Sequence, residues 1–389
     1  MPISQTIFAQ LMSLIDHHEF DRCVERYDGD HRVKEFSCYD QFLCMIFSQL
    51  AKKRSLRDTV FTLQMMKSKL YHLGIRSNLS LNAFSNANSK RNWRIYHDYA
   101  QSLIQRARDL YINEKLDLEL KNTVYAIDSS TIDLCLSIYA WAEFRSTKSG
   151  IKLHTLMDLK GSIPILIDIT EAVVSDNQFL DKIEIEKNAI YVMNRGYLDF
   201  ERFWRIEENK AYFVTRLKRN ICFRRVYSAA TNKSTGLIYD QMGFLDSKYA
   251  TRKYPAKVRI IKYYDSEHKV TYVFLTNNFE LAALTICKLY KQRWQIELFF
   301  KWIKQNLHIE SFFGQSENAV KLQIWIAICA YLLIVILKKS MNIKTELSQI
   351  LHFLSNVLFE QIPIQSLFSN FDYKTKESDL SNQLSILDL

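Results

Sequence analysis

A mixed α/β fold, with helices crossing a mixed sheet and further helices at both ends of the chain, is predicted by three observations. Helical spacing gives way near residue 119 to apolar and alternating runs of strand length. Three such runs, a helix, a strand, a helix and a strand follow in order, the pattern of a sheet with crossover connections. Two alternating runs joined by Asp265-Ser-Glu-His268 then form a hairpin before a long amphipathic helix. The boundaries that result are 1–118 for an N-terminal helical domain, 119–216 for core strands and 217–278 for a β insertion. Residues 279–340 carry the long helix and complete the core, and 341–389 form a C-terminal helical region.

Each element has its own warrant. Phe8, Leu11 and Ile15, then Phe42, Met45, Ile46 and Leu50, recur at three-to-four spacing in the first region. Lys52, Lys53, Arg54 and Arg57, with Lys90, Arg91 and Arg94, form basic clusters there. Asn82, Ser85, Asn86, Asn88 and Ser89 add short donors suited to phosphates. A solvated helix surface explains any one cluster equally well. The strand-like runs are Val124–Ile127, Ile151–Asp158, Ile163–Ile169, Ala189–Met193 and Ala211–Thr215, with a helix expected near Phe179–Lys187. Lys218, Arg219, Arg224 and Arg225 open the insertion, whose hairpin strands are Lys257–Tyr264 and Lys269–Leu275. A continuous helix is expected over about 280–307, with Asn277 and Asn278 as possible caps.

Composition narrows the function classes. A chain of 389 residues, 48% apolar and 13% aromatic, buries a large core. Its charge of 52 − 42 = +10 points to a polyanion, nucleic acid first. Seven scattered cysteines with no C-x2-C pair argue against a zinc site or disulfide framework and for a reducing cytoplasm. The N-terminus does not read as a signal peptide. The longest apolar run, Ile324–Leu337, is shorter than the roughly 20 residues a bilayer requires and reads as a buried helix, so no membrane partner is expected.

The residues that carry chemistry are Asp128 and Glu297. Asp128 closes the run Thr123-Val-Tyr-Ala-Ile-Asp128, from which a carboxylate would project into a cleft. On a helical wheel Tyr290, Arg293, Glu297 and Lys304 share one arc, beside an apolar stripe of Leu289, Ile296, Phe300, Ile303 and Leu307. Spacing alone favours an amphipathic helix with an Arg293–Glu297 pair on its wet side. The placement of Asp128 favours carboxylates that hold metal ions for displacement at phosphorus, with the cations on phosphates. Asp133 extends the same run, Asp158, Asp168 and Asp176 read as turn or surface residues, and His154 as structural.

With these residues in place, the chain resembles the insertion-sequence transposases of family four in the DDE superfamily. The likeness rests on Tyr290-x2-Arg293-x3-Glu297-x6-Lys304 and runs along nearly the whole chain. Phe8-Ala-Gln-Leu, Ser55-Leu-Arg-Asp58, Asp128-Ser-Ser-Thr, Trp141-Ala-Glu-Phe-Arg, Lys152-Leu-His-Thr, Asn194-Arg-Gly-Tyr-Leu-Asp and Ser316-Glu-Asn-Ala-Val-Lys all contribute. It implies a ribonuclease-H-like catalytic core and a catalytic, metal-binding trio at Asp128, Asn194 and Glu297. It also implies two Mg2+ (or Mn2+) ions and DNA contacts by Tyr290, Arg293, Trp294 and Lys304. The implied partners are double-stranded DNA, as transposon terminal repeats and target, and a second copy in a synaptic homodimer. The implied location is the cytoplasm, on the nucleoid. The implied activity is cleavage and transfer of transposon ends, commonly through a hairpin. The family has Asp where this chain has Asn194, so cleavage is expected to be impaired while end binding persists. Asp199 is the nearest other acid. The alternatives are an inactive end-binding repressor and a metal-dependent nuclease without strand transfer.

Overall fold

The computed structural model describes residues 5–66, 70–75, 79–114, 116, 120, 122–135, 137–145, 148–217, 221–306 and 312–369. Ten strands form one sheet: β1 Val124–Leu134, β2 Glu143–Arg145, β3 Lys148–Asp158, β4 Ile163–Glu171, β5 Ile190–Met193, β6 Tyr212–Arg216, β7 Phe223–Ala229, β8 Leu237–Leu245, β9 Val258–Asp265 and β10 Val270–Thr276. The order is β2-β3-β1-β5-β6-β10-β9-β8-β7, with β4 also on β3. β4, β3 and β1 are antiparallel neighbours, while β1, β5 and β6 run parallel. This is the ribonuclease-H-like core that the resemblance implies. The insertion extends the same sheet, because β10 pairs antiparallel with β6 from Phe274↔Arg216 to Thr276↔Val214.

Side chains alternate across the central strands and feed two apolar cores. Val124, Ala126, Ile190, Val192 and Val214 face the helices Ala283–Gln292, Trp294–Asn306 and Glu317–Ser340. Tyr125, Ile127, Tyr191, Met193 and Phe213 face the opposite way, toward Phe200, Phe203 and Ile206 of the crossover helix Phe200–Glu208. All four residues of β5 are buried, as a central parallel strand covered on both faces requires.

The N-terminal helices join the first of these cores. Cys38–Leu50, Arg94–Tyr111 and Glu317–Ser340 share one continuous apolar cluster. A capping box starts the first of them, with Ser37 and Asp40 bonding each other's backbone N–H at 3.0 Å. Asn318 pins the layers together: its Nδ2 donates to the Arg91 carbonyl at 2.7 Å, and its Oδ1 accepts from Trp93 N at 3.2 Å. The Glu317–Ser340 helix has 24 residues, and its most apolar 18-residue stretch has a mean hydropathy of 2.4, long and apolar enough to cross a membrane, yet 94% of that stretch is buried inside the protein. The expected 14-residue apolar run is thus the middle of a longer core helix.

Several expected elements differ. The helix near Phe179–Lys187 is only Asp176–Phe179 followed by a 3-10 turn to Lys182. The 280–307 helix begins at Ala283 and is interrupted at Arg293, where Arg293 N bonds Tyr290 O at 3.2 Å and Ile296 N bonds Arg293 O at 3.1 Å. These three-residue bonds are a local 3-10 tightening. Asn277 and Asn278 do not cap it. Asn277 instead bonds Phe213 N and Ala211 O at 2.8 and 2.9 Å, stapling β6 to the end of β10, while Asn278 Oδ1 accepts from Leu281 N at 2.8 Å. Strands β7 and β8 were not apparent in the sequence because β7 lies at the sheet edge with its residues almost all exposed, so alternation is missing. Leu307, Lys218, Arg219 and residues 370–389 lie outside the described residues.

Arg259 secures the insertion. Its guanidinium forms a buried bidentate pair with Asp240 at 2.8 and 2.7 Å and donates to the Leu281 carbonyl at 2.6 Å, ahead of the catalytic-side helix. Arg259→Ala is expected to lower unfolding free energy by about 3 kcal/mol, since it leaves Asp240 buried and uncompensated. Urea denaturation with unchanged m-value would show this; a loss below about 1 kcal/mol would contradict it.

Candidate active site

Register brings the first two positions together. The parallel pairing of β1 with β5 ends at Ile127↔Met193, so Asp128 and Asn194 are the next residues on adjacent strands. β1 does not end at Asp128, as the sequence suggested; β3 keeps pairing it through Leu134↔Ser149. It is β5 that stops, and the strand end beside Asp128 opens the cleft. Asn194 Nδ2 donates to Asp128 Oδ1 at 2.8 Å, while Asn194 Oδ1 accepts from Gly196 N at 2.6 Å. Thr215 of β6 holds the Asn194 carbonyl at 3.1 Å. Gly196 suits this turn, as a Cβ there would lie 2.8 Å from Asn194 Oδ1.

The third position arrives on the helix. At the Arg293 kink the guanidinium turns back on the sheet, donating from Nη1 to Asp128 Oδ2 and from Nη2 to Glu297 Oε1, the latter at 2.5 Å. Arg293 is only 13% exposed and its Nε has no partner, so the pair is not the wet-side pair that spacing favoured. Lys304 Nζ donates to the Thr131 carbonyl at 2.6 Å. The resulting cleft, about 370 Å³, is lined by Asp128, Ser129, Ser130, Glu297, Lys301 and Lys304.

The proposed phosphate contacts are unevenly placed. Trp294 is 47% exposed beside Leu298 at 45%. Tyr290 is half-buried, packed on Phe274 with Arg293 over its ring at 5.5 Å. Among the basic clusters, Arg91 is buried on the Ser37 carbonyl and Gln41, and Asn88 is buried with Gln41 donating to it at 2.6 Å. Neither is a surface donor.

Other acids are settled by their contacts. Asp199 caps the Phe200–Glu208 helix through Glu201 N and Arg202 N and pairs with Arg202 at 2.8 Å, so it is committed elsewhere. Asp133 is exposed, and Asp168 pairs with Lys182 at 2.6 Å. Asp158 is not a surface residue but buried, 3.8 Å from Arg108. Asp176 is 29% exposed at the start of its short helix, yet it too has partners in the site. Its Oδ1 accepts from Ser129 Oγ at 2.8 Å and lies 3.1 Å from Lys152 Nζ, and Ser129 N in turn donates to Asp128 Oδ1 at 2.9 Å. Only its place before a short helix could have flagged it, and that signal is weak. His154 is fully buried, stacked on Phe179, with Nε2 at 3.0 Å from Thr170 Oγ1 and Nδ1 without a hydrogen bond, 3.7 Å from Asp176 Oδ1. Burial pushes its pKa down to about 4, so the ring is neutral.

Burial pushes the Asp128 carboxyl up to about 6, with Arg293 pulling the other way. The folded chain therefore keeps a proton on Asp128 between about pH 4 and 6 that the unfolded chain has released. The stability this group contributes is present below that window and is lost as pH rises through 6. Ligand duty needs the carboxylate, so Mn2+ affinity is expected to fall about tenfold from pH 7 to pH 5. Calorimetric titration at both values checks this; equal affinities would contradict it.

The donor set accommodates a divalent cation in part. Asp128 and Glu297 offer two carboxylates, the donor type by which Mg2+ is commonly held together with substrate phosphates, with the Arg293 guanidinium now between them. Asn194 does not complete a second site: its carbonyl oxygen is taken by Gly196 N, and its amide nitrogen faces Asp128. A separate group, Asp265, Glu267 and His268 at the β9–β10 turn, is occupied by Lys291 at 3.5 and 3.0 Å and is no rival.

A ribonuclease-H-like sheet with two carboxylates at its parallel strand end and on the following helix defines a polynucleotidyl-transfer class of protein. A family model described as the transposase DDE domain matches residues 119–333, and one described as a domain of unknown function (DUF4372) matches residues 3–76. The chain belongs to the DDE transposase family. It is 36% identical to y4zB of Sinorhizobium fredii (strain NBRC 101917 / NGR234), named as a transposase, over 62% of this chain and 68% of that protein. It is 29% identical to the protein named for insertion sequence element IS5377 of Geobacillus stearothermophilus, over 56% of this chain and 57% of that one. For the protein named for IS4SA of Synechocystis sp. (strain ATCC 27184 / PCC 6803 / Kazusa) the figures are 26%, 76% and 83%. The piggyBac transposase synaptic complex with hairpin DNA aligns at TM-score 0.47 and 10% identity, over 91% of this chain and 79% of that one. Divalent-metal dependence follows from the DDE domain.

Proposed function

We propose that this transposase binds transposon ends but cleaves them weakly, because its cation site lacks one carboxylate. The observation that carries this is the Asn194 amide, which donates to Asp128 where the family's aspartate would supply negative charge. Asp128 and Glu297 would hold a divalent ion, Mg2+ or Mn2+, which would supply Lewis-acid stabilisation of charge at phosphorus. Arg293 then leaves the two carboxylates and offers its fork to a terminal phosphate, with Lys304 beside it. Exposed Trp294 stacks on a base, an interaction of roughly 1–3 kcal/mol. Tyr290 positions Arg293 from beneath. Residues 1–118 contribute further DNA contacts, two copies pair the ends, and the chain works in the cytoplasm on nucleoid DNA and its targets.

A second reading, an end-binding repressor without cleavage, is favoured by Arg293, whose guanidinium bridges Asp128 and Glu297. The test is nicking of a labelled transposon end in Mg2+ by this chain and by Asn194→Asp. Strong nicking only by the variant supports the proposal. Equal nicking refutes it, and absence of end binding by both refutes the DNA assignment.

A further inference from the structure

A second feature lies outside the acidic cleft. At the seam between the N-terminal helices and the Glu317–Ser340 helix a groove of about 450 Å³ is lined by Lys90, Asn92, Trp93, Arg94, Glu317 and Lys321, with Asn318 at its base. Trp93 gathers charged neighbours there. Arg94 Cζ lies over the indole at 4.8 Å and Lys321 Nζ at 5.3 Å, while His97 meets the ring edge-on at 5.8 Å. The cations therefore number three against the one carboxylate of Glu317, which pairs with Lys321 at 2.5 Å.

We propose that this groove binds the phosphate backbone of duplex DNA, as a contact separate from the acidic cleft. The indole's neighbours are cations, so it acts as a platform that holds ammonium and guanidinium in place rather than as a stacking surface for a base. The site is built in advance: Asn318 Nδ2 donates to the Arg91 carbonyl at 2.7 Å, with the Asn88 and Ser89 carbonyls at 3.3 Å, and its Oδ1 accepts from the Trp93 N–H, which fixes the two helical layers against each other. Preorganised charge binds phosphate with little further ordering. A chain of net charge +10 in a DNA-acting family makes DNA the polyanion of choice.

The cleft and the groove are linked through β1 and the segment that follows it. From Asp128, β1 runs on to Leu134, about 20 Å at the usual strand rise. Beyond it Trp141 Nε1 donates to the Gln315 carbonyl at 2.8 Å, two residues before Glu317 at the groove.

The proposal rests on the DNA-handling reading but not on cleavage, so it is tested in EDTA. The full chain is titrated with a fluorescent duplex of arbitrary sequence, about 30 base pairs long, across a salt series. The combined variant Lys90→Gln, Arg94→Gln, Lys321→Gln is expected to bind about tenfold more weakly, with a log–log salt slope shallower by about 2 to 3. Glu317→Gln removes the only carboxylate that lines the groove among the described residues and is expected to bind about twofold tighter, an opposite sign that misfolding would not produce. An unchanged slope in the triple variant, or weaker binding by Glu317→Gln, overturns the proposal while leaving the transposase reading standing. Failure of the unmodified chain to bind the duplex at low salt overturns both.

Discussion

Replacing Asn194 with aspartate is expected to lower the stability of the metal-free protein and raise its metal-dependent nicking together. Asn194 Nδ2 now donates to Asp128 Oδ1 at 2.8 Å. A carboxylate there would set two anions against each other and lose that bond, at a cost of about 2 kcal/mol, or a few degrees of melting temperature. Millimolar Mg2+ should restore the loss, because the third carboxylate completes the cation site. Nicking of a labelled end should rise about a hundredfold or more, at least the effect of removing a partner that merely orients a metal ligand. Melting curves with and without Mg2+, run beside the nicking assay, read both effects. A variant whose melting ignores Mg2+, or whose nicking matches the parent, would remove Asn194 from the explanation.

Removing the guanidinium at Arg293 is the second large effect. Among the described residues, Arg293 is the one cation bonded to both Asp128 and Glu297, in a pocket where Asp128 is only 7% exposed. Arg293→Ala leaves an uncompensated buried carboxylate, and unfolding free energy should drop by about 3 kcal/mol at pH 7. The same variant should lose less at pH 5, because Asp128, already pushed up to about 6, takes a proton and no longer needs a counter-ion. Arg293→Lys should recover only part, as one ammonium does not bridge two carboxylates in the manner of a planar fork. Denaturation curves at the two pH values decide it. Equal losses at both would mean that Arg293 acts through packing alone.

Much of the architecture was legible in the chain. The change from three-to-four spacing to alternating runs near residue 119 marks where helices give way to β1, and the hairpin at β9 and β10 falls where alternation placed it. What escaped detection had weak local patterns. Edge strand β7 buries no face, the break at Arg293 interrupts an otherwise good helical wheel, and Asp176 acts through Ser129, a neighbour that only folding supplies. The 47% exposure of Trp294 likewise depends on what packs beside the helix, which its position in the sequence does not say.

By itself, the order of residues determined the class of fold, the family and the identity of the side chains at the three positions, including an amide where an acid is usual. Those are properties of periodicity and residue type, which are local. Only the tertiary structure decided that β5 stops beside Asp128 while β1 continues, that the Asn194 amide nitrogen turns to Asp128, and that Arg293 lies between the two acids. Strand register and the aim of a buried side chain depend on partners more than sixty residues away, and no local pattern carries that information.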